Sequence, residues 1–69
     1  MVSVYVGKCD CMKDCAKIQK QLDDYGIKGY IFHISDKYRL KTYSYPTKER
    51  AQPFADLLSM KGFPNVEVL

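Results

Sequence analysis

The sequence has no long apolar run. Its uninterrupted hydrophobic stretches are a handful of residues, which excludes a membrane-spanning helix of about 20 apolar residues. It also has no block of like charge: 11 basic and 8 acidic residues are scattered along the 69 positions. The net charge of +3 is therefore a mild bias towards anionic partners, and a polybasic arm for nucleic acid or a membrane surface is excluded. No basic segment, apolar segment and cleavage site open the chain, since Met1 leads straight into Val2-Ser3-Val4-Tyr5-Val6. The expectation is a chain with neither secretory leader nor membrane anchor. Histidine occurs once, at His33, and no paired acid, elbow serine or glycine-rich phosphate loop accompanies it. Acid-base or nucleophilic catalysis has nothing to build on, so the chain reads as non-enzymatic. Only three cysteines are present, Cys9, Cys11 and Cys15, an odd and clustered set that does not suit a disulfide-stapled secreted fold and points to a reducing compartment. Their C-x-C-x3-C spacing lacks the second pair of a zinc site even with His33 counted, so neither metal nor cofactor is expected.

What is there suits a small globular domain: 46% hydrophobic and 28% charged residues. A chain this short buries only about 60% of its unfolded surface, so nearly every apolar residue must enter one core. Val2, Val4 and Val6 alternate with Ser3 and Tyr5 as in a half-buried strand that Gly7 ends. From Met12 to Tyr25, Cys15, Ile18, Leu22 and Tyr25 recur at three- and four-residue steps before Gly26, which predicts an amphipathic helix with a left-handed stop. Ile27 to Ile34 is rich in β-branched and aromatic residues. Ser35-Asp36-Lys37 reads as a turn into a second alternating run, Tyr38 to Tyr43, and together these predict a hairpin. Thr47 is a candidate cap for a helix striped by Ala51, Phe54, Ala55 and Leu58 and stopped at Gly62, and Val66-Glu67-Val68 closes the chain as a strand. Pro53 predicts a loose or kinked first turn in that helix.

A shift of 36 residues carries Cys15 onto Ala51, Ile18 onto Phe54, Leu22 onto Leu58 and Gly26 onto Gly62. It also sets Leu40 on Val4, Thr42 on Val6, Val66 on Tyr30 and Val68 on Phe32, and so predicts which side of each strand faces inward. The reading is one α+β domain, residues 1–69, in two units of about 2–34 and 38–69. A β-α-β-β-α-β order then gives a four-stranded antiparallel sheet with both helices on one face, the ferredoxin-like or RNP arrangement. The other face stays open and is predicted to carry Ser3, Tyr5, Ile31, His33, Arg39, Lys41, Tyr43, Asn65 and Glu67. Of these, Tyr5, Ile31, His33, Arg39, Lys41 and Tyr43 are the candidate binding residues: rings to stack on sugars or bases, cations to hold anionic or hydroxyl groups. An exposed antiparallel face also favours aromatics and charges without any ligand, or packs on a protein partner.

The segment Val4-Tyr5-Val6-Gly7-Lys8-Cys9 followed by a helix that ends in glycine, and Tyr38-Arg39-Leu40-Lys41-Thr42-Tyr43-Ser44-Tyr45 followed by Thr47-Lys48-Glu49-Arg50-Ala51, resemble the strands and helix starts of the SPOR domain. This is the sporulation-related repeat of bacterial envelope proteins, and the resemblance covers essentially the whole chain. It implies the same fold and a non-catalytic module that binds peptidoglycan glycan strands, stripped of stem peptides, on the open sheet face. The first strand also resembles that of RNA-recognition modules, and Lys28-Gly29-Tyr30-Ile31-Phe32 is a broken form of their third-strand motif. Here it would open the second strand with Tyr30 and Phe32 turned towards the helices, so nucleic acid is not the expected ligand. The alternative is a small structural subunit that docks by protein contacts in a larger assembly such as a bacteriophage virion. Without a leader, the chain is expected in the cytoplasm or in such a particle unless it is exported within a complex.

Overall fold

A computed structural model describes residues 1–69. The chain runs β1 (Val2–Cys9), α1 (Met12–Asp24), β2 (Tyr30–Ile34), β3 (Lys37–Tyr45), α2 (Lys48–Met60) and β4 (Glu67–Val68). The four strands form one antiparallel sheet in the order β2-β3-β1-β4. Val4 and Val6 of β1 and Leu40 of β3 share a single core with Cys15 and Leu22 of α1 and Ala51, Ala55 and Leu58 of α2. Both helices therefore lie on one face of the sheet. Leu22, Leu40 and Leu58 are fully buried, and each contributes roughly 1.5–3 kcal/mol by leaving water.

Each helix is built by local chemistry. Thr47 caps α2, its hydroxyl accepting from the Arg50 amide at 3.3 Å, whereas Cys11 precedes α1 without a side-chain cap. α2 runs from Lys48 to Met60 with Pro53 inside it. Both helices leave through the same turn. Gly26 and Gly62 take left-handed φ of 74° and 91°. Their amides donate to Asp23 and Ser59, and the next amides, Ile27 and Phe63, donate back to Leu22 and Leu58. That pairing satisfies two of the last carbonyls of each helix and drops Ile27 and Phe63 into the core.

Two bulges set the faces of the central strands. Gly7 and Lys8 together oppose Arg39, between the pairs Val6–Leu40 and Cys9–Tyr38. Gly7 does not end β1, as its residue type suggests. At φ 78° it forms the bulge through which β1 continues to Cys9. On β3, Thr42 and Tyr43 together oppose Val4, between Ser3–Ser44 and Tyr5–Lys41. Both extra-pair residues turn to the helix side: the Thr42 hydroxyl donates to the Val4 carbonyl at 2.7 Å, and the Tyr43 ring lies 5.1 Å from that of Phe54 on α2.

The hairpin between β2 and β3 corrects the expected register. Its loop is the two residues Ser35 and Asp36, both with positive φ, so that Ile34 pairs with Lys37 and not with Tyr38. Directly paired residues of an antiparallel ladder share a face. Ile31, opposite Leu40, therefore packs on the core, and His33, opposite Tyr38, stacks on its ring at 4.5 Å and 15°. Tyr30 and Phe32, opposite Lys41 and Arg39, face the other way.

Candidate ligand-binding face

Three of the six residues expected on the open face are there: Tyr5, Arg39 and Lys41. Ile31, His33 and Tyr43 are not. The hairpin register turns the first two to the helix side, and the bulge opposite Val4 does the same to Tyr43. In their place stand Tyr30 and Phe32, 58% and 46% exposed. These two rings stand on the open face and not towards the helices, although they lie on the second strand and not on the third, where an RNA-recognition module carries its motif.

The face is organised in rows. Glu67, Tyr5, Lys41 and Tyr30 are successive partners across β4, β1, β3 and β2. With neighbouring strands about 4.8 Å apart, the Tyr5 and Tyr30 positions stand about 9.5 Å apart with Lys41 between them. The next row pairs Arg39 with Phe32. The Lys41 ammonium lies over the Phe32 ring, 5.7 Å from its centroid, and the Arg39 guanidinium stands at the same distance from the Tyr5 ring. Ser3 and Ser44 extend the face as a pair of hydroxyls 2.7 Å apart.

The two cations do different work. Arg39 is only 5% exposed. Its Nε donates to the Gly7 carbonyl at 3.0 Å, its Nη2 donates to the Asn65 carbonyl at 3.0 Å, and the same nitrogen pairs with the Glu67 carboxylate at 2.9 Å. The guanidinium fork ties the β1 bulge to the approach and body of β4, and it is consumed by those contacts. Lys41 makes no ion pair within the chain, so it is the cation that this face leaves unpaired.

The cysteines lie elsewhere, at the opposite end of β1 from Val2. Cys15 is buried and its thiol donates to the Tyr38 carbonyl at 3.1 Å. Cys9 is the strand partner of that same Tyr38. Burial, and then the neighbouring Cys9 thiol, push the Cys15 thiol up to about 12, so at neutral pH it is a protonated core group. No three His, Cys, Asp or Glu side chains stand close enough to hold a metal ion. Burial, and then Tyr43, likewise raise the Tyr45 phenol. The one cleft, of about 320 Å³, lies between the C-terminal ends of the helices and is lined by Gln21, Asp24, Tyr25, Lys61, Gly62 and Phe63. Within it, Lys61 covers the Tyr25 ring at 4.1 Å.

The architecture and this face define an α+β domain with an aromatic, weakly cationic open sheet. No protein-family model, no curated protein and no solved structure matches the chain. No helix is long and apolar enough to cross a membrane.

Proposed function

We propose that the chain is a non-catalytic binding module of SPOR-like type, taking peptidoglycan glycan strands on its open sheet face. One observation carries the reading: Tyr5, Tyr30 and Phe32 present three rings on one face around Lys41, the cation that no internal ion pair neutralises. Sugar rings offer apolar C–H faces to aromatic side chains. A glycan stripped of its stem peptides also offers free carboxylates, which an ammonium recognises as a point charge. Arg39 serves the site indirectly, by fixing the bulge beside Tyr5.

The test is co-sedimentation with insoluble cell-wall glycan, with and without stem peptides. Binding is expected to the stripped material, and Tyr5→Ala, Tyr30→Ala or Lys41→Ala each weaken it about tenfold, the equivalent of about 1.4 kcal/mol. His33→Ala, on the other side of the sheet, leaves it unchanged. No retention by stripped glycan overturns the proposal, and so does Lys41-dependent binding of a single-stranded RNA oligonucleotide in its place. A second reading, a structural subunit of a larger assembly such as a virion, is favoured by the apolar side chains Met12, Leu57 and Met60, which the two helices leave exposed. It predicts that in native lysate the chain migrates with a large complex, and free migration at its own mass would remove it.

A further inference from the structure

We propose that the chain dimerises through the free edge of β2, two copies of Tyr30–Ile34 pairing antiparallel about a two-fold axis at Phe32 to join two sheets into one. β2 ends the strand order, so one side of its backbone has no partner within the chain. Its ladder to β3 is regular over five residue pairs, without the bulges that interrupt β1–β3. Tyr30–Ile34 contains no lysine, proline or carboxylate, the devices that keep an exposed edge from pairing. The opposite edge is blunted: β4 is two residues long and follows Pro64 and a left-handed Asn65 at φ 52°.

Charge selects the register. With the axis at Phe32, Tyr30 lies opposite Ile34 of the second copy, and Lys28 lies opposite its Asp36. Both of these charged residues are exposed, and neither makes an ion pair within its own chain. An axis at Ile31 instead sets Lys28 against Ile34, and one at His33 sets Asp36 against Tyr30. Only the Phe32 register gives two complementary charge pairs and no opposed like charges. Phe32 then meets the Phe32 of the second copy and each Tyr30 ring meets an Ile34 on the open face, in one continuous apolar strip across the junction. The dimer does not depend on what the open face binds.

Sedimentation equilibrium of the ligand-free chain from micromolar to millimolar concentration tests it. The apparent mass is expected to rise from 8.0 kDa towards twice that value, with protection of β2 amides against hydrogen exchange rising in step. Phe32→Glu places two carboxylates on the axis while giving each chain a partner for its own unpaired Lys41. It is expected to weaken the dimer at least about tenfold. Lys28→Glu, in exposed irregular backbone, weakens it less, and adding Asp36→Lys restores it. A mass fixed at 8.0 kDa at every concentration overturns the proposal, as does a dimer that Phe32→Glu and Lys28→Glu leave unchanged or one whose amide protection lies outside β2.

Discussion

The two edge strands, β2 and β4, leave their helices through the same turn and then part. Gly26-Ile27 and Gly62-Phe63 share left-handed glycines, the same backward hydrogen bonds and a buried apolar residue at the same step. Two residues later, the first half has Gly29 and the second has Asn65. Gly29 keeps φ out of the left-handed region and lies so close to α1 that an added Cβ would stand 2.8 Å from Leu22 Cδ1. Asn65 is left-handed at φ 52°. After Gly29 the chain enters β2 with Tyr30 facing outward. After Asn65, Val66 packs inward and Glu67 faces out opposite Tyr5. Hydrophobicity chooses which residues are buried in the helices, but the backbone path at Gly29 and Asn65, with the hairpin register on β2, sets which face each edge strand presents.

That contrast can be attacked in order of size. Leu22→Ala and Leu58→Ala strike the part that the halves share, and each should cost about 3 kcal/mol in urea unfolding. Similar losses would show one core served equally by both helices, whereas a much smaller loss at either leucine would show a subordinate helix. Arg39→Ala strikes the part that differs. By removing two hydrogen bonds and an ion pair from a buried cation it should cost about 2 kcal/mol. Hydrogen exchange should quicken at Leu69, whose amide donates to the Ser3 carbonyl, and stay slow along β2. Arg39→Lys should recover less than half of the loss, because an ammonium cannot span the same carbonyls.

Cys15 and Ala51 are both fully buried, one on each helix, and pH separates them. The folded thiol holds its proton up to about pH 12 while the unfolded one titrates near 9.0. Stability from this group is therefore complete below pH 9 and is lost as pH rises from there, at up to about 1.4 kcal/mol per pH unit. Unfolding free energies measured from pH 8 to 11 should fall less steeply in Cys15→Ala. The smallest effect is expected at the divergence point itself. Asn65→Gly should be neutral within about 0.5 kcal/mol, since glycine adopts the left-handed conformation freely, and Asn65→Ala should cost about 1 kcal/mol. A silent Asn65→Ala would show that the loop can rearrange without loss.

The helices, the strand sequence and most of the core were legible because their signals are periodic and local: Cys15, Leu22, Ala51 and Leu58 recur at helical spacing, and Val4 and Val6 alternate with polar or exposed partners. The face of β2 was not. Ile27 to Ile34 is apolar on both sides, so a period of two carries no information there, and its phase depends on the hairpin. A three-residue turn through Lys37 pairs Ile34 with Tyr38 and sends Ile31 and His33 outward, whereas the two-residue turn through Asp36 sends Tyr30 and Phe32. The two readings differ by a single residue. Tyr43 escaped for a related reason, since nothing in its neighbours announces the bulge opposite Val4. Tyr5, Arg39 and Lys41 sit in strands with a clear inward partner on each side, and for these the sequence sufficed to assign the face, though not to distinguish the consumed cation from the free one.

The contrast between Cys11 and Cys15 gives the molecule a built-in clock. Cys11 is exposed, so a thiol reagent reaches it in the native state, while Cys15 is fully covered and tied to the Tyr38 carbonyl. Modification of Cys15 must wait for the α1–sheet contact to open. Its labelling rate, set against that of Cys11 in the same tube, therefore reads out how often this part of the fold comes apart under native conditions, without denaturant.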